Sequence, residues 1–360
     1  MTGFFGRGSD PDSEQAETLE RIEGGGIPLS AERRLKSLAT DGSLFISGLS
    51  VNEFALLDRM GPRPLAQVMG ASAVRTGWQY LPPLDPGRYS YSGSVYAPTP
   101  TGYALQNRYS EASWSQVRNY QRHSDVVCEL DVVSDAWNMA RRRALDRLRE
   151  EASHVGADAV VGVHLHRSDH DLGKRTIEYV VSGTAIRLPG SAGAPWPILT
   201  DVSVQDYWRL HTAGQAPVGL VATTTVVFAS AARTTRIRRM RSTKQNQELD
   251  ELTRGFHAAR ETVRARLLGQ VSDAHGLGAV GVELSHSVRR DKFALGSSLT
   301  STGDRGWRLG RFGVPYRVSG ASDVERRGWV ITMHAAGTAI RPGQGPSAQP
   351  VRTAIRLSPR

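Results

Sequence analysis

Apolar residues recur at three- and four-residue steps through Trp137, Ala140, Ala144, Leu148 and Ala152, with charged residues between them. This spacing predicts an amphipathic helix with one stripe to bury and an aromatic anchor near its start. The same pattern returns at Phe256, Ala259, Val263, Leu267 and Val271, a constant shift of 119. Ser134 and Thr253 precede the two stripes and read as N-caps. Arg141, Arg142, Arg143, Arg147 and Arg149 fall largely off the first stripe and read as a solvated face. A Gly/Ala-rich turn and a short β-branched strand follow each helix, Ala159–Leu165 and Gly278–Leu284.

A second correspondence lies upstream of each helix, at a shift of 153. It pairs Ser50 and Val51 with Ser203 and Val204, Phe54 with Tyr207, Gly61 with Gly214, and Pro64 with Pro217. The pattern there predicts a small helix, a glycine turn and a Val-rich strand. Gly219 to Ala232 is the longest apolar run; it is too short to span a bilayer and reads as a β-strand. Both copies close on the same pentapeptide, Gly183–Arg187 and Gly337–Arg341. A helix laid on a small sheet, made twice, is the expected architecture. The fold class is α+β, two tandem β-α-β-β domains with small antiparallel sheets.

The expected boundaries are a flexible N-terminal tail with a short helix over 1–43, a first domain over 44–190, a second over 197–341 and a C-terminal tail over 342–360. The first domain holds an insert at 81–127. Seven of the ten tyrosines fall in Tyr80–Tyr120, among several prolines. That composition suits either a flap over its own domain or a surface for an oligomer neighbour or protein partner, with Tyr89, Tyr91, Tyr96, Tyr103, Tyr109 and Trp114 as its candidates. The second domain holds a Gly/Ser/Arg-rich insert at 288–326, expected to be a hairpin or loop.

The residues Ala140–Val163 with Gly183–Arg187, and Ala259–Val282 with Gly337–Arg341, resemble the YbjQ (UPF0145) family, a domain labelled as heavy-metal-binding. The likeness covers about two thirds of the chain, leaving tails and inserts outside. It implies a dodecin-like β-α-β-β unit that assembles into a symmetric ring, pentameric in family members, with no established enzymatic role. The physical reading agrees in outline, because one helix on a small sheet leaves a face or an edge that needs a partner.

Candidate chemistry is sparse. His164 and His166 lie two apart on the copied strand, with Asp169 and His170 just beyond, and the four could hold a divalent metal. The second copy has Glu283 and Ser285 in place of the two histidines. The net charge is +10, and Arg233, Arg236, Arg238, Arg239, Arg241 and Lys244 form a local basic segment, a candidate anion or nucleic-acid site. Arginine far outnumbers lysine and little aromatic character interleaves the cluster, so nucleic acid is not the expected partner. Glu129 and Glu248 precede the two helices and suit their positive ends. No nucleophile elbow, Walker loop, HExxH or CxxC pair occurs, and no enzyme and no resident cofactor are expected. The single cysteine, Cys128, rules out an intramolecular disulfide and suits a reducing cytoplasm. The expected role is a cytoplasmic homo-oligomeric scaffold or binding protein. A metal-binding protein and a nucleic-acid-associated protein are the alternatives.

Overall fold

The computed structural model describes residues 11–38, 46–77, 79, 81, 125–170, 176–241, 246–294, 307–309, 315–317 and 325–343. The first described elements are two helices, α1 (Pro11–Glu23) and α2 (Leu29–Leu38), where the sequence suggested one. Ile27 and Leu35 from this stretch are buried in the main core. The helix α3 (Val51–Met60) starts at a capping box, in which the Ser50 hydroxyl accepts the Glu53 N–H and the Glu53 carboxylate accepts the Ser50 N–H. It leads into β1 (Arg63–Arg75). Next come β2 (Val126–Glu129), α4 (Asp131–His154), β3 (Ala159–His170) and β4 (Thr176–Arg187). The second half runs β5 (Ile198–Leu199), α5 (Val204–Thr212), β6 (Gln215–Ser230), α6 (Arg233–Arg241), α7 (Asp250–Asp273) and β7 (Gly278–Ala294). A small hairpin of β8 (Trp307–Leu309) and β9 (Pro315–Arg317) precedes the long β10 (Glu325–Pro342). Among the described residues no helix is long and apolar enough to cross a membrane.

Two four-stranded sheets result, ordered β1-β4-β3-β5 and β2-β6-β10-β7. In both, the last long strand lies between the first and the middle one. Registers correspond as well: Gly70 faces Val181 in one sheet, and Thr223 faces Ala335 in the other. Gly162 and Gly281 hold φ of 59° and 65° just after the turn into their strands, at irregularities in the ladder where an L side chain would be strained.

Burial explains the two kinds of strand. On β1 it alternates: Ala66, Val68, Gly70 and Ser72 lie under α4, and Gln67, Met69, Ala71 and Ala73 lie open on the reverse face. On β6 it is continuous from Val221 to Ser230, because successive residues enter different cores. Val227 and Ala229 pack with Ala259, Val263, Leu267 and Val271 of α7, while Val226 and Phe228 join the core built around α4. The predicted stripe of α4 is buried throughout, and burying Leu148 alone contributes roughly 2 kcal/mol. The second sheet is thus enclosed between two helices; the first has α4 on one face, and its reverse face is covered at one end by Leu57 and Val204 against Val161 and Ile186 and open along Gln67–Ala73.

The helix starts differ from the sequence reading. α4 and α7 begin at Asp131 and Asp250, with Leu130 and Leu249 at the N-cap positions and no side-chain cap on either. Ser134 is therefore a helical residue, fully buried, and its hydroxyl serves another strand. Arg141 also departs from the solvated face: it is buried, and burial draws its guanidinium down to about 10. The strand β3 runs past Leu165 to His170, so Asp169 and His170 continue its ladder.

Candidate assembly interface

The site with the densest built chemistry is the junction between the two sheets, where each half completes the other. β2 leads into α4 of the first half but pairs antiparallel with β6 of the second, Val127 facing Ala229 and Glu129 facing Val227. The ladder continues where the strand becomes helix. The Leu130 N–H donates to Val226 O (2.8 Å), and the Val226 N–H donates to Ser134 Oγ (2.9 Å). One turn further, Asn138 acts as a strand residue. Its Nδ2 donates to Thr224 O (2.9 Å), and its Oδ1 accepts the Thr224 N–H (3.0 Å). The same amide donates to Ser134 O (2.8 Å) and accepts from Arg141 (2.6 Å), so all four of its bonding positions are filled.

The exchange is mutual. β5, the lead-in to the second half, adds in parallel to the free edge of β3. The Thr200 N–H donates to Val160 O, and the Gly162 and Val163 N–H groups donate to Val202 O and Thr200 O, each at 3.0 Å. Val204, at the start of α5, is buried against Leu57, Val161 and Ile186 of the first half.

Charges and rings fill the remaining seam. Arg266 of α7 grips Glu129 through both guanidinium nitrogens, at 2.7 and 3.1 Å, so this carboxylate serves an ion pair across the seam. Arg254 pairs with Asp125 at 2.5 Å. Trp137 stands edge-on to Tyr179 and to His334, with centroids 5.7 and 4.9 Å away. His334 Nδ1 meets the Thr224 hydroxyl at 2.9 Å; burial, with the Arg167 and Arg141 charges adding to it, pushes this imidazole down to about 3. It is a neutral core residue. Cys128 has its thiol pushed up to about 12 by burial, which keeps it protonated and unreactive.

Of the four predicted metal ligands, two have described side chains. His164 and His166 are exposed on the open face of the first sheet, opposite Ser182 and Val180. The side chains of Asp169 and His170 lie outside the described residues. Among the described residues no three His, Cys, Asp or Glu side chains are grouped to hold a metal ion.

The basic segment forms the helix α6. Arg233, Arg236, Arg238 and Arg241 are exposed on it. Arg239 turns inward to buried Glu251 at 2.7 Å. Lys244, Tyr89, Tyr91, Tyr96, Tyr103, Tyr109 and Trp114 lie outside the described residues. The junction residues Ser134, Asn138, Thr224 and His334 were not foreseen. One signal did precede them, a serine, an asparagine and an arginine spaced along an otherwise apolar helix face.

An α+β unit of one helix on a small sheet, interlocked with a second through exchanged edge strands, defines the class. Residues 123–189, which span β2, α4, β3 and β4, match the YbjQ family described as "Putative heavy-metal-binding". The chain carries a YbjQ-like domain there. It is similar to the encapsulin nanocompartment protein of Mycobacterium tuberculosis, 28% identical over 265 residues, covering 72% of this chain and 83% of the relative. Two archaeal UPF0145 proteins are also similar. That of Methanoregula boonei is 36% identical over 70 residues, 19% of this chain and 57% of the relative. That of Methanocella arvoryzae is 27% identical over 112 residues, 29% of this chain and 92% of the relative. No solved structure matches.

Proposed function

We propose that this protein is a non-enzymatic, self-assembling scaffold or binding protein built from two tandem YbjQ-like units, and that its work is done by a homo-oligomeric ring. The observation that carries the reading is the incompleteness of each sheet: β2 and β5 belong by sequence to one half and by hydrogen bonding to the other. A unit that lends its lead-in strands to a neighbour is suited to repetition. The similarity to a protein named for an encapsulin nanocompartment supports an assembly role, and a place in such a compartment is the setting we infer. Negative-stain electron microscopy of the tag-free chain tests the reading. Closed particles of uniform diameter are expected, and a field of single small globules would refute it.

A further inference from the structure

We infer that a second copy of this chain docks head to tail on the first through a repeat of the internal junction, with one copy's second half as the socket and the next copy's first half as the plug; this rests on the scaffold reading above. At the internal junction the plug is the lead-in to the second half and the reverse face of the second sheet. Its apolar residues are covered, Leu199 at 1% and Val204 at 0% exposure. The same positions in the first half, by the shift of 153, are Ile46 and Val51, which are 73% and 84% exposed. Thr224 and Val226, buried on β6, likewise correspond to Ala71 and Ala73, which lie open on β1. A second plug is therefore present, with Ile46, Val51, Ala71 and Ala73 open on it.

A second socket is present as well. At the internal junction it consists of β2, the first turns of α4 and the edge of β3. By the shift of 119 its counterparts are residues 246–249, the first turns of α7 and the edge of β7. Val163 is buried and Leu165 is packed on the core, while their counterparts Val282 and Leu284 are 46% and 47% exposed. β7 is an outermost strand with no neighbour on one side among the described residues, as β3 would be without β5.

The polar contacts carry across in the same direction. Glu129 with Arg266 becomes Glu248 of the socket copy with Arg147 of the plug copy, opposite charges again; in a single chain Arg147 donates to Ile22 O and Gly26 O, and would turn from these carbonyls to reach the carboxylate. Ser134, whose hydroxyl accepts the Val226 N–H, becomes Thr253, which keeps a hydroxyl to accept the Ala73 N–H. Asn138 becomes His257, and its two-bond grip on Thr224 has no equal there. Plug and socket lie on opposite halves, so the contact is heterologous and propagates until it closes. Every chain adds two units, so a closed single ring holds an even number of units, and a five-unit ring is excluded.

Ala71→Arg and Val51→Asp test the docking, because both side chains are open in a single chain and neither change should disturb its fold. Sedimentation velocity is expected to show wild-type oligomer, and single chains with an unchanged thermal midpoint for each variant. The apparent dissociation constant should rise roughly thirtyfold or more. As a second measurement, chains carrying Ala73→Cys co-expressed with chains carrying Thr253→Cys should oxidise to a disulfide-linked pair, with the intrachain pair Ser134→Cys/Val226→Cys as the geometric control. If wild type is oligomeric, both variants keep its mass and no cross-link forms, this docking is overturned and the scaffold reading survives. If wild type is a single chain, both are overturned.

Discussion

Asn138 is the residue on which the union of the two halves depends most directly. Replacing it with alanine removes an amide whose four positions are all occupied in a buried seam. Two of the losses are made good: Ser134 O keeps its place in the helix, and Thr224 O retains a long bond from Arg266 (3.4 Å). The other two are not. The Thr224 N–H loses its acceptor, and the buried Arg141 guanidinium loses the oxygen 2.6 Å away. A buried unpaired donor costs about 1–3 kcal/mol and a charged one somewhat more, so Asn138→Ala should lose roughly 3–5 kcal/mol. That is a large share of an ordinary folding free energy of about 5–15 kcal/mol. Asn138→Asp keeps an acceptor for both groups and should lose less than Asn138→Ala. Urea titration at fixed protein concentration measures the loss, the concentration being fixed because assembly also stabilises. Hydrogen exchange at the Thr224 amide reports where it occurs. A loss below about 1 kcal/mol with the Thr224 amide still protected would refute the reasoning.

Other expectations follow from the same seam and its surroundings. His334 is held neutral, near 3, below the ordinary histidine value, so the unfolded chain takes up a proton between these limits and the folded chain does not. Its contribution is therefore complete above about pH 6.5 and is lost as pH falls toward 3, at up to about 1.4 kcal/mol per unit. The stability difference between wild type and His334→Gln should shrink by about 2 kcal/mol between pH 6.5 and 5, and parallel pH profiles would dismiss the idea. Gly70 lies so close beneath α4 that a Cβ would sit 1.9 Å from Ala144 O. Gly70→Ala should force the helix off β1 at a cost of about 1–3 kcal/mol or more, seen as a lowered denaturation midpoint. On α6, Arg239→Ala strands the buried Glu251 carboxylate and should cost about 2 kcal/mol, whereas alanine at exposed Arg236 should change stability by no more than about 0.5 kcal/mol. Equal effects in the two variants would contradict the inward turn of Arg239.

Much of the fold was legible where a local pattern has one physical solution. The stripe from Trp137 to Ala152 could serve only a helix with one buried face, and it does. The apolar run from Gly219 to Ala232 read as a strand, and β6 occupies most of it; that its successive residues enter two cores was not legible, because that depends on α4 of the other half. What was not legible depends on distant residues. Ser134 looked like a cap because hydroxyls favour helix starts. The helix instead begins at Asp131, because the preceding residues are held by the edge of β6 and enter the helix directly from the ladder. Arg141 looked solvated because its burial depends on Asn138 and on a sheet about ninety residues away. His164 and His166 share a strand face as their spacing required, but spacing alone could not tell that the described residues bring no third ligand to them.

Mass photometry of the tag-free wild-type chain tests the central claim most directly. The single chain weighs 39.2 kDa. A single narrow peak at a whole multiple of that mass, holding on dilution, is the predicted result; one peak at the mass of the lone chain at every concentration would contradict it.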